Sequence, residues 1–204
     1  MRLWLCVLFG MVEALGQSVA GNGLAAGKLL VASRKLGDPN FAETVIVIVS
    51  FDEKGTLGLI LNQPTQLPLS RIFSDLKGGK ERTDTAYRGG PVERTQLQAL
   101  LRSNSAREGA VHVLGDVYLT SSRTLVAGSL AEGSGPSRFR VYLGYAGWAP
   151  EQLEQEVESG AWHVLRGEPD LVFDPDPESL WKRMIRRTET RFASAGPRLE
   201  PVRP

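Results

Sequence analysis

The stretch Phe41–Pro64, FAETVIVIVSFDEKGTLGLILNQP, decides the fold. Thr44 to Phe51 is an unbroken apolar run rich in β-branched residues, and Leu57 to Leu61 is a second. Branching at Cβ restricts a side chain in a helix but packs well on a pleated sheet. Between the runs lies Asp52-Glu53-Lys54-Gly55, a polar loop ending in glycine, so the pair predicts a β-hairpin. Neither run alternates cleanly. A strand covered on one face alternates, whereas one covered on both reads as continuous. The hairpin is therefore expected at the centre of a sheet, packed on both sides. Asn62-Gln63-Pro64 closes it, because the residue before proline is pushed to extended geometry.

Upstream, Lys28 to Ser33 predicts a short strand, and Gly37-Asp38-Pro39-Asn40 a turn. Downstream, Leu69, Ile72, Phe73 and Leu76 recur at helical spacing, with Gly78-Gly79 as the stop and a polar loop from Lys77 to Asp84. Tyr87-Arg88-Gly89-Gly90-Pro91-Val92 is a second landmark, where two glycines permit close backbone approach. Glu93 to Arg102 fits either helix or strand. Val111–Leu114 and Tyr118–Thr120 predict strands, and Ser121 or Ser122 caps a helix running to Gly133. Arg138 to Tyr145 alternates, which predicts a half-buried strand.

Gly147-Trp148 is then expected to turn the chain into a helix with Pro150 at its first position. Glu151 and Glu154 fall near the positive end of its dipole, and Gly160 ends it. Trp162–Leu165 and Leu171–Phe173 predict short strands. Asp176 caps a last helix through Arg187, with Leu180, Trp181, Met184 and Ile185 on its buried side. Beyond Thr188 the composition predicts a disordered tail. Strands that adjoin strands argue for an α+β fold.

The chain has 204 residues, 42% of them hydrophobic and 23% charged, which fits one globular domain and excludes disorder throughout. A net charge of +1 gives no general pull toward nucleic acid or anionic membrane. One cysteine, Cys6, excludes an intrachain disulfide. Arg2, the apolar run Leu3–Val12 and the small residues Ser18-Val19-Ala20 have the form of a secretory leader; a disordered extension or a start at Met11 are the alternatives. The apolar run, at about ten residues, is too short to span a bilayer. On each reading residues 1–26 lie outside the folded domain. Gly21-x-Gly23-x-x-Ala26 lacks the preceding strand and following helix of a dinucleotide loop.

Candidate chemistry is thin. There is no G-x-S-x-G, and only His112 and His163 could serve as general bases of that type or as imidazole ligands. No spacing marks a metal site. Glu151, Glu154, Glu156 and Glu158 read as a solvated helix face. Arg183, Arg186, Arg187 and Arg191 could hold phosphates, with helix capping and a soluble tail as the plainer account. Trp148, Trp162 and Trp181 are too scattered for a stacking ladder. The polar residues that stand out sit at strand ends. Asp38, Asn40, Asn62 and Arg88, with Gly89, Gly90 and Trp148, either hold turns or line one shared pocket.

These same segments carry a resemblance. Gly37-Asp38-Pro39-Asn40-Phe41, Gly58-Leu59-Ile60-Leu61-Asn62-Gln63-Pro64, Gly89-Gly90-Pro91-Val92, and Gly144-Tyr145-Ala146-Gly147-Trp148 followed by Gln152-Leu153-Glu154-x-Glu156 resemble, in order and spacing, the successive motifs of the YqgE/AlgH family (UPF0301, DUF179). The resemblance covers roughly Gly27 to Arg187. It implies an α+β domain over residues 27–187, with a bifurcated mixed β-sheet forming a pseudo-barrel and flanking helices, and residues 188–204 as a tail. It also implies a cytoplasmic protein with no established catalytic mechanism, and no cofactor is expected. Residues 1–20, if a working leader, would instead imply export. One branch of the family has been named a transcriptional regulator of exopolysaccharide synthesis, yet this chain has no helix-turn-helix signature.

The function expected is thus non-enzymatic binding or regulation through a protein or small-molecule partner. An enzyme or ligand-binding protein with a pocket at Asp38, Asn62 and Arg88 is the first alternative. A nucleic-acid-associated regulator using Arg183 to Arg191 is the second.

Overall fold

The computed structural model describes residues 23–194, with side chains to residue 190. The leader-like segment, Cys6, the end of the tail and the side chain of Arg191 lie outside the described residues. Strands β1 (Lys28–Ala32), β2 (Val45–Asp52) and β3 (Gly55–Ile60) are consecutive and antiparallel. Val45 to Ile48 have no exposed surface, so the hairpin is covered on both faces as its unbroken pattern predicts. The domain begins slightly earlier than the sequence suggests, since Leu24 packs on the core and the Gly27 N–H donates to Ile48 O at 2.8 Å.

The remaining strands are β4 (Pro64–Pro68), β5 (Thr85–Arg88), β6 (Val92–Arg102), β7 (Ala110–Leu114), β8 (Val117–Thr120), β9 (Phe139–Trp148) and β10 (Trp162–Arg166). All join one sheet, whose main path runs β10-β1-β2-β3-β9-β6-β8-β7. The sheet forks at β9. One edge of β9 is taken by antiparallel β6. The other is divided: its C-terminal end pairs with β3 through Thr56–Trp148, and its N-terminal half pairs in parallel with β5 through Tyr87–Tyr142. The sheet is therefore mixed and bifurcated. It also curls, bringing β7 back against β2 in the form of a half-barrel.

The fork separates two hydrophobic layers, because successive side chains on a strand point to opposite faces. Tyr142, Ala146 and Trp148 of β9 enter the larger layer with β1, β2 and the last helix, α5 (Pro177–Ser194). Phe139 and Val141 enter the smaller one with Leu69 and with Val126 and Leu130 of α2 (Arg123–Ala131). The middle of the sheet is a wall with a core on each side.

That wall corrects one expectation. Arg138 to Tyr145 alternates in sequence, yet Phe139, Arg140, Val141 and Tyr142 are all buried. The polar positions face a second core, not solvent. β9 also runs on through Trp148, held by its pairing with β3, so α3 (Gln152–Glu158) starts two residues after Pro150, behind Glu151 at φ 64°. Leu171–Phe173 is not a strand. Pro169 presets the backbone for a single helical turn, α4 (Pro169–Val172). The predicted helix around Leu69 shrinks to one turn, α1 (Leu69–Ile72). Glu93–Arg102 resolves as strand. Helix α5 continues to Ser194, beyond the expected end near Thr188, because Thr188 extends its buried stripe at 2% exposure. Two caps stand as read: the Ser122 hydroxyl accepts from Leu125 N–H, and the Asp176 carboxylate from Ser179 N–H.

Candidate functional site

The strand-end residues meet at the fork, in two groups with different roles. Arg88 closes β5, and its Nη2 donates to Asn40 Oδ1 at 2.9 Å. Asn40 in turn donates to Asp38 Oδ1, from its side chain at 3.1 Å and its backbone N–H at 2.8 Å. The second bond closes an Asx turn, a local geometry that Asp supports readily. This chain of bonds clamps the β1–β2 loop onto the end of β5. It leaves an exposed carboxylate and a half-buried guanidinium on either side of one amide.

Asn62, Gly89 and Gly90 are scaffold. Asn62 accepts from Val45 N–H at 2.8 Å and donates to Glu43 O at 2.9 Å, so both ends of its amide hold the start of β2. Gly89 sits in the crotch of the fork, donating to Leu143 O and accepting from Ile60 N–H. A Cβ on Gly89 would lie 2.1 Å from Gly144 O, and one on Gly90 2.1 Å from the Tyr145 carbonyl carbon. Close backbone approach, as the two adjacent glycines suggest, is what this junction requires.

Trp148 belongs to an aromatic cluster. Its ring stacks on Phe41 at 5.9 Å, and Trp162 meets both edge-on at 5.8 and 6.0 Å. Both indole N–H groups donate to the same oxygen, Glu156 Oε2, at 3.0 and 2.8 Å. Gln152 donates to the other oxygen at 2.9 Å. Glu156 is thus not part of a merely solvated face, and two tryptophans fourteen residues apart do come together. The signal was one carboxylate eight residues after a Trp and six before another; without the knowledge that β9 and β10 flank α3 it could not be read.

Among the basic residues of α5, Arg183 pairs with Asp174 at 2.7 Å and Arg187 with Glu168 at 3.4 Å, while Arg186 is exposed. His112 Nε2 donates to Gly115 O at 3.0 Å. No cluster of three or more metal-ligating side chains occurs among the described residues. No helix among them is long and apolar enough to cross a membrane.

One group escaped the sequence reading. Arg140, on β9, is 4% exposed. Its Nε donates to Pro136 O at 3.0 Å, Nη1 to Val172 O at 3.2 Å and Nη2 to Asp174 O. The Tyr87 ring lies 4.9 Å from its guanidinium carbon and Phe173 5.8 Å. A hollow of about 460 Å³ opens beside it, lined in part by Thr83, Thr85, Tyr87, Ser137 and Phe173. Tyr142, next along the same face of β9, is wholly buried beside Arg140, and its hydroxyl makes no hydrogen bond of ordinary geometry. Burial pushes the Tyr142 phenol well above its usual pKa, and the positive Arg140 offsets part of that rise. The alternation Arg138-Phe139-Arg140 hid this residue, since it reads equally well as a strand with a wet face.

Comparison with known proteins agrees with the family motifs. The family model DUF179, AlgH-like, matches residues 29–193. A UPF0301 protein of Streptomyces avermitilis is 37% identical over 179 residues, covering 82% of this chain and 88% of that protein. Another from Anaeromyxobacter sp. is 38% identical, covering 81% and 88%. Among solved structures, the AlgH protein from Pseudomonas aeruginosa aligns with a TM-score of 0.61 at 30% identity, covering 85% of this chain and 89% of that one. A protein from Corynebacterium diphtheriae aligns with a TM-score of 0.67 at 25% identity, covering 82% and 88%.

Proposed function

The chain belongs to the AlgH-like family, DUF179, and on that premise we propose that it is a non-enzymatic binding protein whose recognition group is the Arg88–Asn40–Asp38 chain at the fork of its sheet. The observation that carries this reading is the 2.9 Å bond from Arg88 to Asn40, which joins positions 48 residues apart. It holds a guanidinium and a carboxylate in fixed relation where the β1–β2 loop meets the end of β5. Groups held in place before binding lose little freedom on binding. A partner of matching chemistry carries a carboxylate for Arg88 and an ammonium or amide for Asp38. The other polar side chains at this end of the sheet, Asn62 and Glu156, are engaged by backbone and indole groups. That favours presentation of fixed groups over proton transfer.

The test is a thermal-shift screen of amino acids and dipeptides, free and end-blocked, against the protein and its Arg88→Ala variant. A ligand is expected to stabilise the parent, to lose that effect in the variant, and to be recovered chemically unchanged by mass spectrometry. Recovery of an altered compound would replace binding with catalysis. Equal stabilisation of both proteins would move the site away from the fork. From family resemblance we propose a cytoplasmic location; a native N-terminus beginning at Gly21 would indicate export instead.

A further inference from the structure

We infer that the hollow beside Arg140 is a binding site for a small monocarboxylate with a compact apolar or aromatic body. This goes beyond the fork and stands independently of it.

The first argument is charge. Arg140 is buried, and its three described hydrogen bonds all go to neutral carbonyls. No carboxylate is ion-paired with it among the described residues. Asp174, whose backbone carbonyl Arg140 binds, pairs through its carboxylate with Arg183, and Asp84, on the same lining, pairs with Arg82. A buried cation without a counter-charge is costly, and an incoming anion would relieve that cost.

Geometry is the second. Each carbonyl engages one N–H on a different nitrogen, so each terminal nitrogen keeps a second N–H. The rings of Tyr87 and Phe173 lie within cation–π distance of the guanidinium. What remains open is N–H hydrogen bonding from its terminal nitrogens, and a carboxylate fits a guanidinium in that manner.

The walls complete the picture. Pro136, Pro175 and Pro177 join the two aromatic rings on the lining, with the Ser137 hydroxyl among them. The volume of about 460 Å³ falls within the range of small-molecule sites. Asp84 also lines the hollow, which disfavours a dianion such as phosphate.

Fluorine NMR with fluorophenylacetate as the probe tests this. The protein is expected to broaden and shift the probe's line, and fluorophenylacetamide, the neutral isostere, is expected to bind weaker by roughly tenfold or more. Ser137→Trp, at an exposed position on the lining, is expected to abolish binding while leaving the guanidinium in place. Arg140→Lys is expected to weaken it. Four results would overturn the proposal: no effect of the protein on the probe, equal binding of the amide, displacement by inorganic phosphate at equal concentration, or full binding to a folded Ser137→Trp variant. Because the amide comparison uses the parent protein, a misfolded variant does not shield the idea.

Discussion

The two ends of β9 bury polar groups in opposite ways. At the C-terminal end, Trp148 has a carboxylate waiting for it, and the same Glu156 oxygen serves Trp162. The site is closed: two donors, one charged acceptor, aromatic rings packed around them. At the N-terminal end, Arg140 donates to three carbonyls and has no carboxylate partner among the described residues, and the Tyr142 hydroxyl beside it makes no hydrogen bond of ordinary geometry. Buried polar groups are nearly always satisfied, so the exceptions call for a reason. The contrast teaches that the first end is built as a joint and the second as a place where something is still to be accommodated. A strand that runs through both lets one sheet combine them.

Removing Arg140 gives the largest expected change. Arg140→Met leaves three carbonyls without a donor and should cost about 3 kcal/mol in urea unfolding. A loss well below that would mean the guanidinium is not a strut, and the contrast between the two ends would weaken. Glu156→Ala strands two indole donors and should cost about 2 kcal/mol, with a change in tryptophan emission; Glu156→Gln, which keeps an acceptor, should cost about half as much. If the two substitutions are equal, charge rather than the shared acceptor holds the aromatic cluster.

Tyr142→Phe sharpens the comparison from the other side. It deletes a buried hydroxyl that makes no hydrogen bond of ordinary geometry, so stability should stay level or rise by up to about 1 kcal/mol. A clear loss would reveal a bond that makes the Arg140 end as closed as the other.

The smallest effect concerns pH. His163 follows Trp162 on β10, and burial holds its pKa below the usual value, with Glu189 partly opposing that. The unfolded chain therefore binds this proton more readily than the folded one. Stability should be unaffected by this group at neutral pH and should fall as pH drops through about 6.5, the unfolded value. His163→Gln should flatten that slope in denaturant midpoints measured across the range. An unchanged slope would assign the dependence to other groups.

Much of the scaffold was legible in the chain itself. The hairpin, the Ser122 and Asp176 caps, the glycines of the fork and the order of family motifs all rest on local geometry, which neighbouring residues set. The Asx turn from Asp38 to Asn40 was legible for the same reason. Its bond to Arg88 was not, because nothing in either segment states that a loop between β1 and β2 will lie over the end of β5. Leu171–Phe173 misled in the opposite sense: an apolar triplet suits a strand, but Pro169 had already set the turn. Thr188 misled because a polar residue near a chain end reads as tail, although it continues the stripe of Ile185 and Met184.

The sequence alone determined the central hairpin, the Ser122 and Asp176 caps and the close backbone approach at Gly89 and Gly90, since those follow from Cβ sterics and nearby hydrogen bonds. Only the tertiary structure decided which polar side chains are buried and what each one meets. Burial of Arg140 and Tyr142 depends on a second core lying behind β9, and Glu156 depends on two strands converging over one helix. Such placements are set by contacts between distant segments, and no window of sequence contains them.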